Sequence, residues 1–246
     1  MNISVAAEKI FSIFGFPVTN SMLVAWIVMS LLIILSLIAT RKTNLVPRGL
    51  QNLFESVFEE MLKLVDSVMG DRKQSLKFFP LIATIFIFVL LGNWLGLLPG
   101  VGSIGIWEHH EGREVLVPFL RSTAADLNFT LALAVISVVT VQVVGILSLG
   151  FLKYTSKFIN FSSPLNFFVG VLELISEVAK LISFSFRLFG NIFAGEVLLT
   201  VMFFLVPYVV PLPFMMFEVF VGFIQAMVFS MLTLVFLKIA TIEAHH

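Results

Sequence analysis

LNFFVGVLELISEVAKLISFSFRLFGNIFAGEVLLTVMFFLV, residues 165–206, is an apolar stretch too long to stand upright in a bilayer. At 1.5 Å per residue a helix over it would run ~60 Å, about twice the hydrocarbon thickness. It must tilt steeply, break, or begin well outside the lipid, and length mismatch alone does not choose among these. A second long segment, 214–242, follows across Pro207, Pro211 and Pro213, which are expected to break any helix. Two steeply tilted helices joined at 207–213 would form a long hairpin across the membrane plane. Such a hairpin presents a broad side wall, suited to a surface along which another membrane body slides.

Three shorter runs lie upstream: 21–40, 78–98 and 127–150. Each meets the requirement of about 20 apolar residues for one crossing. The first stops at Arg41-Lys42, the second at Pro99-Gly100, and the third is followed by Lys153 and Lys157. The expected fold is all-α, a single polytopic membrane domain over 1–246 with about five membrane helices. Composition agrees: 59% of residues are hydrophobic, 12% are charged, and mean hydropathy is +1.07. Twenty-eight phenylalanines and no cysteine suit lipid-facing helices and exclude disulfides, zinc–thiolate sites and thiol catalysis. Zero net charge argues against a nucleic-acid partner. No phosphate loop, nucleophile elbow, zinc-protease or dinucleotide fingerprint occurs, so neither cofactor nor metal is expected. The start, MNISVAAEKIFSIFGF, lacks a basic region followed by a cleavage site, and no signal peptide is expected.

Lysines and arginines orient the chain. The 41–77 connection carries Arg41, Lys42, Arg48, Lys63, Arg72, Lys73 and Lys77, against Arg113 and Arg121 alone in 99–126. The positive-inside rule then puts 41–77 and 151–164 in the cytoplasm, the N-terminus outside and the C-terminus inside. Within 50–68, Leu50, Leu53, Phe54, Val57, Phe58, Met61, Leu62 and Val65 recur at helical spacing opposite Glu55, Glu59 and Lys63. This reads as an amphipathic helix, lying either on the cytoplasmic membrane surface or against a partner subunit.

Arg187 interrupts the apolar stretch. A guanidinium stays charged at any working pH, and placing it at membrane depth costs roughly 2.5–3.5 kcal/mol on insertion scales. The functional reading is a fixed charge on an ion path; a structural ion pair or a snorkelling residue is the alternative. Taking 100° per residue from Arg187, Lys180 lies at about +20°, Glu173 and Asn191 at about +40°, and Ser183 at about −40°. These five form a polar stripe about 27 Å long, while Glu196 points about 180° away. On the last helix Glu218, Gly222 and Gln225 share a face. Glu196 and Glu218 sit in apolar runs with no basic neighbour in sequence, as a proton relay or a buried hydrogen bond would have them. Glu173 and Lys180 read equally as snorkelling or as channel-lining residues. Asn191 and Gln225 alone could be interhelical glue. Gly190, Gly195 and Gly222 read as close-approach positions, and His109, His110, His245 and His246 as surface residues. Asp126 either caps the third span or opens an outer vestibule.

At SFSFRLFGNIFAGE (183–196) the chain resembles the subunit a family of the F-type ATP synthases. The resemblance continues in family order through Gln51-Asn52-Leu53 with Glu55, FFPLIATIFIFVLLGNWLGLLPG (78–100), TAADLNFTLALA (123–134) and PFMMFEVFVGFIQAMVFSMLTLVFL (213–237). It implies a membrane stator beside a rotating ring of c subunits, held by the b-subunit peripheral stalk of the F1Fo assembly in a bacterial-type inner membrane. It makes Arg187 the stator charge facing the ring carboxylate. It assigns Asn191, Glu196, Glu218 and Gln225 to the outer half-channel, Asp126 to its mouth, and Glu173 and Lys180 to the cytoplasmic exit. Many bacterial relatives carry histidine where this chain has Glu218. The coupling ion, proton or sodium, is left open by the resemblance, as are ring size and working direction.

Two other classes compete on the residues alone. A secondary transporter would use Arg187 to bind an anion and would show inverted repeats, of which the sequence has no convincing trace. An intramembrane enzyme would need a nucleophile–base pair or a metal cluster.

Overall fold

The computed structural model describes residues 6–41, 49–98, 100, 102, 104–110, 113–158, 163–206 and 209–241. Lys42, Arg48, Pro99, Pro207, residue 242 and the pair His245-His246 lie outside that set, as do the side chains of Leu50, His109, His110 and Arg113. Five helices are long and apolar enough to cross a membrane: α1 (Asn20–Thr40), α3 (Arg72–Gly96), α4 (Leu127–Leu149), α6 (Pro164–Leu205) and α7 (Pro211–Thr241). Between them lie α2 (Leu50–Met69) and the one-turn α5 (Phe151–Thr155).

The starts of these helices are written locally. Thr19 Oγ1 accepts the Met22 amide, Asp71 the Lys73 amide, Asp126 the Asn128 amide and Ser163 the Leu165 amide. Each satisfies a donor that has no partner within its own helix. Pro164 occupies the first turn of α6, where a missing amide hydrogen costs nothing. The same physics corrects the expectation at the last loop. Pro211 and Pro213 do not break a helix but begin α7, three residues ahead of the expected 214. The second span likewise starts earlier than 78, at Arg72, and carries Pro80 inside its helix.

α6 is continuous over 42 residues, so of the three options for the long stretch a break is ruled out. A straight run of ~60 Å has to tilt or protrude. α7 returns alongside it, which gives the expected hairpin. One core cluster joins α3, α4, α6 and α7 through Ile85, Val89, Leu133, Leu188, Ala226 and Phe229. A second lies beyond it and brings in α2, whose Val65 and Met69 pack with Phe78, Ile82, Leu234 and Leu237. Half of the amphipathic helix therefore rests on this chain's own bundle. Lys238 Nζ also donates to the Val68 carbonyl at 2.6 Å. Leu53 and Val57, nearer its start, stay exposed.

Two β-hairpins were not anticipated. β1 (Lys9–Ile13) pairs with β2 (Phe16–Thr19), and β3 (Gly105–His110) with β4 (Arg113–Pro118), both antiparallel. The first turns at Phe14-Gly15, with φ of 49° and 87°, the doubly left-handed geometry that a two-residue hairpin requires. Both lie at the same end of the bundle: the Asn20 side chain reaches the Pro118 carbonyl at 3.5 Å.

Candidate ion path

The two sides of α6 differ in what they offer. Ser183, Arg187 and Asn191 are exposed on one side, beside Ile182 and Phe186. Arg187 Nη2 donates to Ser183 Oγ at 3.3 Å, and Asn191 Nδ2 donates to the Arg187 carbonyl at 2.9 Å. Among the described residues no carboxylate pairs with Arg187. Behind it, Phe184, Ser185 and Leu188 are buried, and Ser185 Oγ lies 3.2 Å from Thr130 Oγ1 of α4. That hydrogen bond fixes the rotation of α6 and so presents the guanidinium outward.

On the opposite side Glu196 has a partner, contrary to the sequence expectation. Arg121 Nε lies 3.0 Å from one carboxylate oxygen of Glu196 and 3.1 Å from the other. Arg121 is 6% exposed, and its Nη1 donates to the Ala6 carbonyl at 3.1 Å. The pairing spans 75 positions, and sequence reasoning had used Arg121 only as a topological charge. Its position five residues ahead of the helix-capping Asp126 was the one signal available.

Glu218 is 3% exposed, and its Oε1 has no hydrogen-bond partner. Its carboxylate packs directly over Gly195, where any Cβ would collide with it. Gly195 therefore does permit close approach, and what it admits is a carboxyl group. Gly222 is buried and Gln225 half-buried one and two turns further along α7. Asn93 of α3 donates to the Gly222 carbonyl at 3.3 Å and accepts from Ser122 Oγ at 3.4 Å, a contributor missed in the sequence. Asp126 resolves toward capping: it takes the Asn128 amide at 2.9 Å and the Ser21 hydroxyl at 2.6 Å, and is buried.

A second polar group sits at the other end of α6. Lys157 Nζ lies 2.6 Å from Glu173 and Lys180 Nζ 2.7 Å from Glu177, so neither Glu173 nor Lys180 is an isolated solvated charge. Lys180 also lies over the Phe236 ring, 4.9 Å from its centroid. Tyr154 of α5 donates to Gln142 at 2.6 Å. Burial, then the nearby charges of Glu177 and Glu173, pushes its phenol up to about 12, so it remains a donor across the neutral range. The two groups are not joined. Glu173 and Glu196 are ~34 Å apart by helical rise, and Arg187 lies between them on the outer face.

A polytopic membrane protein with polar clusters at both ends of one long helix and an outward cation between them belongs among the ion-translocating membrane proteins. The sequence profile of the ATP synthase A chain family matches residues 22–238. The chain is 38% identical to ATP synthase subunit a of Campylobacter jejuni strain RM1221, over 87% of each chain. It is also 38% identical to that of Trichlorobacter lovleyi, over 92% of this chain and 89% of the relative. With the subunit of Geotalea uraniireducens the identity is 39%, over 89% and 86%. The chain belongs to the ATP synthase subunit a family, the membrane-embedded proton-channel part of the synthase rather than its catalytic part.

Proposed function

We propose that this chain is the stator against which a ring of c subunits turns, with two offset half-channels that load and unload the ring carboxylates. The observation that carries this reading is the outward Arg187, a permanent cation with no acid partner among the described residues. A charge held at that depth is balanced only by an anion from outside the chain. A carboxylate on a passing ring helix supplies it. As the carboxylate nears Arg187 the cation favours its ionised form, lowering its pKa by about 1–3 units. The proton leaves toward the group around Glu173 and Lys180. Uptake runs on the other side, past Asp126, Glu196, Glu218, Asn191 and Gln225. Arg187 and Ser183 stand between, and the fixed positive charge repels a proton that would cross directly. The positive-inside distribution puts the N-terminus outside and the C-terminus in the cytoplasm, with the peripheral stalk anchoring the assembly. The coupling ion is the proton.

Reconstitution tests this reading. Vesicles holding this chain with a ring of hairpin proteolipids should conduct protons passively, while vesicles holding either alone should not. Conduction by this chain without a ring would overturn the rotor mechanism.

A further inference from the structure

Near the middle of α4, Ser137 is 1% exposed and its hydroxyl has no hydrogen-bond partner. Other helical hydroxyls in this chain bond back to a carbonyl one turn earlier, as Thr140 does to Ile136 and Thr200 to Glu196, both at 2.7 Å. Ser137 instead lines a small cavity between α4, α6 and α7. Val138, Val141, Phe184 and Phe236 form its apolar wall, and Glu177 and Lys180 supply its other polar groups. The Glu177 and Lys180 side chains are only 13% and 25% exposed. The cavity volume is about 10 Å3, the space of one water molecule. Three polar partners are within the two to four that a buried water requires.

Its depth follows from the hydrogen bond between Thr130 and Ser185. Ser137 lies seven residues beyond Thr130, so the cavity is ~10 Å from that level toward the Gly150 end of α4. Arg187 is two residues from Ser185 on the opposite flank of that level. Lys180 belongs both to the outward stripe and to the cavity wall, which connects the Arg187 face with the interior.

We propose that this cavity binds a single water molecule, held by Ser137 Oγ, the Glu177 carboxylate and Lys180 Nζ, and that this water is the first station of the proton exit path. The inference rests on the reading that a ring carboxylate discharges beside Arg187. The water accepts that proton and passes one to the Glu177 carboxylate; only O–H bonds form and break. The exit thus begins between α4, α6 and α7 rather than along the ring face alone.

The test uses the assembled complex in inverted vesicles, with passive proton conduction and pulsed hydroxyl-radical labelling as independent readouts. Labelling marks side chains that touch bound water. Phe184 should be labelled in the unmodified protein. Ser137→Val fills the cavity and should abolish that label and slow conduction at least about tenfold, more than 1.36 kcal/mol of barrier. Ser137→Thr keeps the hydroxyl and should retain both, and Glu177→Gln should slow conduction similarly while keeping the label. Absence of the label in the unmodified protein, or normal conduction in Ser137→Val or Glu177→Gln, would overturn the proposal. The underlying reading fails differently: Arg187→Ala would then leave conduction coupled to ATP, whatever the behaviour at Ser137.

Discussion

Arg187 and Arg121 are the same side chain under opposite constraints. Arg121 is buried, grips the Glu196 carboxylate and holds the Ala6 carbonyl, so its charge is balanced within the chain. Arg187 is exposed, and its only side-chain partner is a serine hydroxyl. Their acids differ in the same sense: Glu196 has a cation, while Glu218, one helix away, leaves an oxygen unsatisfied. Structural charges in this protein come in pairs, and the groups left unpaired are the ones positioned to exchange an ion. The contrast gives each arginine a distinct mode of failure.

The largest effect is expected at Arg187. Arg187→Ala should reduce ATP-coupled proton pumping by about a hundredfold or more, the scale of losing a preorganised charge. The amount of assembled complex and its melting temperature should be unchanged, because no internal contact is lost. Arg187→Lys should also fail, since a compact ammonium replaces a planar fork poorly. A melting temperature that falls with pumping would make Arg187 structural and erase the contrast.

Arg121→Gln should reverse that pattern. Removing one member of a buried pair strands the other, and the loss expected here is about 2 kcal/mol, less than for full burial because Glu196 stays partly open. Denaturation of the purified subunit should show the loss, and Arg121→Gln with Glu196→Gln should recover most of it. Additive losses would mean that the two groups do not act as a pair.

Crosslinking sharpens the comparison geometrically. Cysteines at 183 and 187 should crosslink to a cysteine on a neighbouring c helix, and one at 196 should not. The absence of native cysteine keeps the background of this chain clean. A disulfide needs Cα atoms roughly 4.4–6.8 Å apart, so equal yields at 183 and 196 would refute the assignment of faces. The smallest effect belongs to Ser185→Ala. It removes one hydrogen bond, worth about 1 kcal/mol, and should lower the melting temperature slightly with pumping nearly intact. A larger pumping loss there would show that the orientation of α6 depends on this single contact.

The helices were legible because each is a run of apolar residues bounded by charge, proline or a capping side chain. The amphipathic helix was legible as to position, but not as to its partner, since Val65 and Met69 could equally have faced lipid. The hairpins were hidden because short strands such as KIFSI do not stand out in so apolar a chain; only Phe14-Gly15 and the alternation in REVLVP hinted at them. The stripe through Arg187 follows from helical periodicity alone. The pairs of Glu196, Glu173 and Asp126 could not be read, because Arg121, Lys157 and Ser21 come from other elements. Periodicity fixes directions on one helix, whereas partners depend on how helices pack.

The unbroken length of α6 also bears on biogenesis. A segment entering the bilayer from the insertion machinery is admitted by its hydrophobicity over about 20 residues, and each charge near its centre opposes entry. The half of α6 beyond Lys180 carries only Arg187 and Glu196, whereas Glu173, Glu177 and Lys180 crowd the half before it. The later half is therefore the competent insertion signal, and the earlier half is drawn in once Lys157 and Lys180 have neutralised its two acids. Maturation of this helix is a two-stage event, and its second stage waits on the turn that carries Lys157.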